Sequence, residues 1–127
     1  MNGIHLSEGE WKIMKLLWES PPRTIAQLVA SLEAETGWSR TTVFVMLKRL
    51  IAKGAVRVDD SGRVQQYYPT VTRARVAAEA ADSFLARVYD GSIGWMVSSL
   101  TGRRALSAEE IAELRRVLDE AEKKNGG

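Results

Sequence analysis

A mainly α fold with one small β-hairpin is what the sequence predicts, with three helices before the hairpin and three after it. Three observations point there. Helix starts are marked by Ser/Thr-x-x-Glu/Gln boxes at Ser7 to Glu10, Thr24 to Gln27 and Ser107 to Glu110, where two side chains reciprocally satisfy orphan backbone donors. Apolar residues recur at helical spacing after each start. Between Ala55 and Tyr68 the pattern changes to two short runs rich in Val, Tyr and Gln.

The first helix is expected from about Ser7 to Glu19. Trp11, Met14, Leu17 and Trp18 follow its box at the spacings of one buried face, and Pro21-Pro22 forbids continuation through ring clash and a missing donor. The second helix opens at Thr24, carries Ile25, Leu28, Val29 and Leu32, and is punctuated by Gly37. Ser39 caps a third helix with Val43, Met46, Leu47, Leu50 and Ile51. Gly54 after Lys53 reads as its stop, with a cation in the last turn. Ala55 to Asp59 and Arg63 to Tyr68, joined by Asp59-Asp60-Ser61-Gly62, read as a hairpin that Pro69 ends.

Beyond Val71 the helical pattern returns. Val76, Ala80, Phe84 and Val88 stand at i, i+4 steps until Gly91. A short fifth helix is expected over about Ser92 to Leu100, with Ile93, Trp95, Met96 and Val97. A last helix from Ser107 carries Ile111, Leu114, Val117 and Leu118, with Gly126-Gly127 as a frayed end. The expected division is a domain over 1–70 and a helical region over 71–127.

The 127 residues are 45% hydrophobic and 27% charged, which places the chain among folded soluble proteins of one or two small domains. No uncharged stretch approaches the roughly 20 apolar residues of a membrane span. Met1 to Glu10 lacks a basic region followed by an apolar one, so no secretory leader is expected. Cysteine is absent, which removes disulfides and thiolate metal sites and suits a reducing cytoplasm. The net charge of +2 is unevenly spread. From Thr36 to Tyr68 there are six basic residues against two acidic ones, while Val71 to Gly127 has nine of each sign. A basic middle beside a neutral tail fits a polyanion partner for one part of the chain.

Three helices and then a two-stranded hairpin is the winged helix layout, in which the third helix enters the DNA major groove. At about 100° per residue, Val43, Met46, Leu47, Leu50 and Ile51 fall within an arc of about 140°. The opposite face carries Thr41, Val45 and Lys48, flanked by Thr42 and Arg49. Candidate DNA contacts are therefore Ser39, Arg40, Thr41, Thr42, Phe44, Val45, Lys48 and Arg49. The threonines suit base edges or phosphate at a helix N-terminus, and the cations suit phosphates. Val45 matches a thymine methyl. Phe44, at the edge of the core arc, either packs inward or leans on DNA. In the hairpin, Arg57 and Arg63 are candidates for the backbone or minor groove.

These residues match a family. Leu6-Ser7-x-x-Glu10-Trp11-x-x-Met14-x-x-x-Trp18 resembles the start of the BlaI/MecI-type penicillinase repressors. Trp38-Ser39-x-x-Thr42-Val43-x-x-x-Leu47-x-Arg49-Leu50, then Lys53-Gly54, is similar to their recognition helix. Tyr67-Tyr68, Phe84, Val88-Tyr89-x-Gly91 and Leu106-Ser107-x-x-Glu110-Ile111-x-x-Leu114 continue the match. The resemblance implies a homodimer that represses a promoter from a palindromic operator, with the C-terminal helices of two chains interlocked. Composition agrees, because three short helices rarely bury an adequate core alone. Phe84, Leu85, Val88, Trp95, Met96, Leu100, Leu114 and Leu118 are the expected shared core.

The resemblance also implies inactivation through a membrane-bound sensor protease, with the cut placed at Ser99-Leu100. The family's best-known members carry Asn-Phe there, and this chain departs at both positions. Phe44 and Val45 likewise replace polar or basic residues, so the familiar operator does not carry over. The cysteine-based copper site of some relatives is excluded. A regulator free of proteolytic control, or a winged helix used for protein contacts, is the alternative. An enzyme is not expected: His5 is the sole histidine, and no glycine-rich phosphate loop occurs. No cofactor or metal is expected.

Overall fold

The computed structural model describes residues 3–126. Helix α1 (Glu8–Glu19) is capped reciprocally by Ser7 and Glu10 and buries Ile13, Met14 and Leu17. Helix α2 (Ile25–Thr36) has the same device in Thr24 and Gln27, and ends on Gly37 at φ 63°. That left-handed conformation suits a residue without a Cβ. Ser39 accepts from the Thr42 N–H at the start of α3 (Arg40–Ala52). Each of these three helices begins within about one residue of its sequence signal, because a cap is a contact between residues three apart.

Strands β1 (Val56–Asp59) and β2 (Gln66–Pro69) pair antiparallel, from Val56 opposite Pro69 to Asp59 opposite Gln66. The second strand is shorter than the sequence pattern implied, and Arg63, Val64 and Gln65 belong to the connection instead. The Asp59 carboxylate accepts from the Ser61 N–H and hydroxyl at 3.0 and 2.7 Å, which turns the chain before it can pair. A third extended segment has no counterpart in the sequence reading. Arg23 and Tyr67 exchange two backbone hydrogen bonds, of 3.1 and 2.8 Å, so the loop after α1 borders the hairpin.

Two compact units divide the chain, 1–83 and 84–127. The first holds the core: Ile13, Met14, Leu17, Leu28, Val43, Leu47 and Leu50 are fully buried, and Tyr67 of β2 is buried with them. Burying each aliphatic side chain stabilises by about 1.5–3 kcal/mol. Helix α4 (Arg73–Tyr89) spans the division. Its first part belongs to the first unit, where Val76 is fully buried and the Trp18 indole donates to the Val71 carbonyl at 2.8 Å.

In the second unit, α5 (Ile93–Arg103) is capped by Ser92, and α6 (Ala108–Gly126) by the Ser107–Glu110 box. Asp90 and Gly91, at φ 51° and 83°, make the corner after α4. Phe84, Tyr89 and Trp95 stack edge to face around it, with centroids 5.9 and 5.0 Å apart. Both α5 and α6 run beyond the periodic residues that marked them, α5 to Arg103 and α6 to Gly126. Gly127, part of the expected frayed end, lies outside the described residues.

Candidate nucleic-acid interface

The solvent face of α3 is built by what its other face does. Val43, Leu47 and Leu50 enter the core completely, and Met46 and Ile51 pack against it. The remaining positions must then face outward, 3.6 residues making one turn. Arg40, Thr41, Lys48 and Arg49 are exposed, as are Phe44 at 40% and Val45 at 42%. Phe44 therefore does not fill the core, and the Lys48 ammonium lies 5.7 Å from its ring centroid. Thr42 is half-buried, and its hydroxyl lies 3.1 Å from that of Ser39, so the cap draws both hydroxyls together.

Two contacts with α1 set the position of α3. Gly9 faces Trp38 and Met46, and a Cβ there would stand 3.0 Å from the Met46 methyl and 3.2 Å from the Trp38 ring. At the far end of α3, the Lys53 ammonium lies 2.5 Å from the Glu10 carboxylate and donates to the His5 carbonyl at 2.7 Å. In the sequence each partner of this ion pair carries only a local helix-end signal, Glu10 in a capping box and Lys53 in a last turn, and neither signal points to the other. Burial alone would raise the Glu10 pKa, but the bonds from Lys53 and the Ser7 N–H outweigh it and hold the carboxyl below its ordinary value.

In the hairpin, Arg57 pairs with Tyr68 across the strands, its guanidinium carbon 4.0 Å from the ring centroid. That cation–π contact holds the guanidinium over the neighbouring strand while leaving the arginine exposed. Arg63 is exposed in the connection, beside the Asp59–Ser61 turn. The Ser61 hydroxyl and N–H hold the Asp59 carboxyl below its usual range. Among the described residues no cluster of His, Cys, Asp or Glu could hold a metal ion, and no helix is long and apolar enough to cross a membrane.

A family model described as penicillinase repressor matches residues 6–120. The chain belongs to the penicillinase repressor family. Among individual members, the penicillinase repressor of Bacillus licheniformis is 34% identical over 115 residues, 91% of this chain and 90% of that protein. The methicillin resistance regulatory protein MecI of Staphylococcus aureus strain N315 is 25% identical over 114 residues, 90% of this chain and 93% of that one. A solution structure of the B. licheniformis repressor BlaI, as a monomeric form in complex with the blaP half-operator, superposes with a TM-score of 0.51. It is 32% identical and covers 59% of this chain and 93% of that one. The winged helix read from the order of elements is thus the fold of this penicillinase repressor family member.

The second unit of this family member exposes large apolar side chains among its charged ones and is nearly coreless within. No residue of α5 or α6 is buried. Of the eight residues expected at a shared core, Phe84, Val88, Trp95, Leu100, Leu114 and Leu118 are exposed, with Leu118 at 65%, while Leu85 and Met96 are half-buried. A groove of about 230 Å³ lies between α5 and α6, walled by Val97, Leu100, Leu106 and Leu114 and rimmed by the Arg104–Glu110 ion pair. Ser99 and Leu100 lie inside α5, and the Leu100 carbonyl accepts from the Arg104 N–H at 3.3 Å. A cut between them requires the last turn of α5 to open.

Proposed function

We propose that this chain is a homodimeric transcriptional repressor that inserts α3 of each copy into the major groove of a palindromic operator. The single observation carrying this reading is the outward face of α3, which presents Thr41, Val45 and Lys48 flanked by Arg40 and Arg49, while its other face is fully used by the core. A helix so displayed, with a basic margin, can offer side chains to base edges and cations to both groove walls. The hairpin adds Arg57 and Arg63 for phosphate or minor groove contacts. The half-operator complex of BlaI supports the same mode, since that structure matches 59% of this chain at 32% identity.

The second copy is supported by the surface of the second unit. Six of the large apolar side chains expected at a shared core are exposed, and 44 residues are too few for an adequate core of their own. A partner chain burying Phe84, Val88, Trp95, Leu100, Leu114 and Leu118 supplies one. Relief of repression by a sensor protease fits the same architecture. A cut at Ser99-Leu100 severs α6 from the rest, and α5, without one buried residue, opens at little cost.

Selection of bound sequences from a random DNA pool at moderate salt tests the reading. An inverted repeat with half-sites one helical turn or a multiple apart is expected. Weak, salt-sensitive binding without enrichment would leave the winged helix as a nonspecific or protein-binding module.

A further inference from the structure

Helix α3 carries two large apolar side chains where a solvent-facing helix surface ordinarily carries polar ones. Phe44 and Val45 are 40% and 42% exposed, although the core beneath them is complete. Helix geometry sets Val45 beside Thr41 near the middle of the outward face, and Phe44 about 100° round at its margin. Lys48, one turn on from Phe44, holds its ammonium over that ring. Neither apolar side chain can pair with the donors and acceptors that distinguish most base edges. In the major groove the apolar group on a base edge is the thymine C5 methyl.

Resting on the reading of α3 as the groove-entering helix, we propose that Phe44 and Val45 together form a reader of thymine methyl groups. Each operator half-site then presents two thymines to α3, one methyl against Val45 and a second against Phe44. Lys48, kept at the margin by the Phe44 ring, meets a phosphate beside the second thymine. Discrimination at these two positions comes from burying methyl groups and not from hydrogen bonds. Desolvating one methyl is worth about 0.8 kcal/mol, or about fourfold in affinity.

The test takes the half-site recovered by selection and replaces its thymines one at a time with deoxyuridine. That change deletes the methyl and keeps every hydrogen-bonding group. At one fixed salt concentration, an affinity loss of about fourfold is expected at two positions per half-site, with the other thymines indifferent. Val45→Ala should erase the penalty at one position and Phe44→Ala at the other. Both side chains lie outside the core, so an unchanged Tm confirms that each variant is folded. Specific binding that tolerates deoxyuridine at every position would overturn the inference and leave the repressor reading standing. So would penalties that persist in both variants. Failure to enrich any sequence would instead remove the groove reading, and this one with it.

Discussion

Glu10 is 2% exposed, and its carboxylate is held 2.5 Å from the ammonium of Lys53, a pairing that ties the first turn of α1 to the residue after α3. The same carboxylate accepts from the Ser7 N–H at 2.9 Å, so one buried group caps a helix and anchors another. A buried charge left without its partner costs far more than the pair contributes. Lys53→Met should accordingly lower folding stability by about 1.5–3 kcal/mol, the range for a hydrogen bond to a charged group. Urea denaturation of the two proteins checks this. Equal midpoints would mean that water replaces the ammonium without loss.

The same carboxyl makes stability depend on acid. Its folded pKa lies below the ordinary value of 4.5, so its contribution is fully present above that pH and is lost as pH falls through the folded value. Glu10→Gln removes the titration while keeping an acceptor for Ser7. Its stability deficit against the natural protein should be largest near neutral pH and shrink below about pH 4.5. Thermal melts from pH 7 to pH 3 measure it, and a deficit constant with pH would assign the effect to packing.

For the exposed cations of α3, the expected outcome concerns salt as well as affinity. Lys48→Ala or Arg49→Ala should weaken binding to all sequences similarly and reduce the slope of log affinity against log salt by about 1. Titrations at three or more salt concentrations read both quantities. A selective loss on one sequence, with the slope intact, would place that cation on a base edge.

In the second unit, Phe84→Asp puts a charge on the surface that a partner chain should cover. Sedimentation is expected to show monomers, with helix content in the first unit retained by circular dichroism. The operator affinity should fall with it, because two linked half-site contacts become one. A dimer that survives the substitution would put the interface on another face.

Local signals explain most of what the sequence revealed. The helix caps at Ser7, Thr24, Ser39 and Ser107 are contacts between residues three apart, and Gly37 and Gly91 occupy the left-handed corners where helices end. The arc containing Val43, Leu47 and Leu50 follows from the helical period once α3 is recognised. The hairpin was less legible. The Asp59–Ser61 turn, which delays pairing until Gln66, depends on which oxygen the serine finds.

By itself, then, the sequence determined the helices, the capped starts of α1, α2, α3 and α6, and the buried side of α3, since each depends on neighbours within about one or two turns. Helices α5 and α6 run past their last periodic residues, to Arg103 and Gly126. Tertiary structure alone decided that Glu10 and Lys53, 43 residues apart, share a bond, and that Arg23 pairs with Tyr67. It decided as well that Phe44, whose position on the helix allowed either side, stands in solvent. No periodicity encodes such meetings. They arise when separately formed elements pack, and burial then makes the partner of each polar group matter.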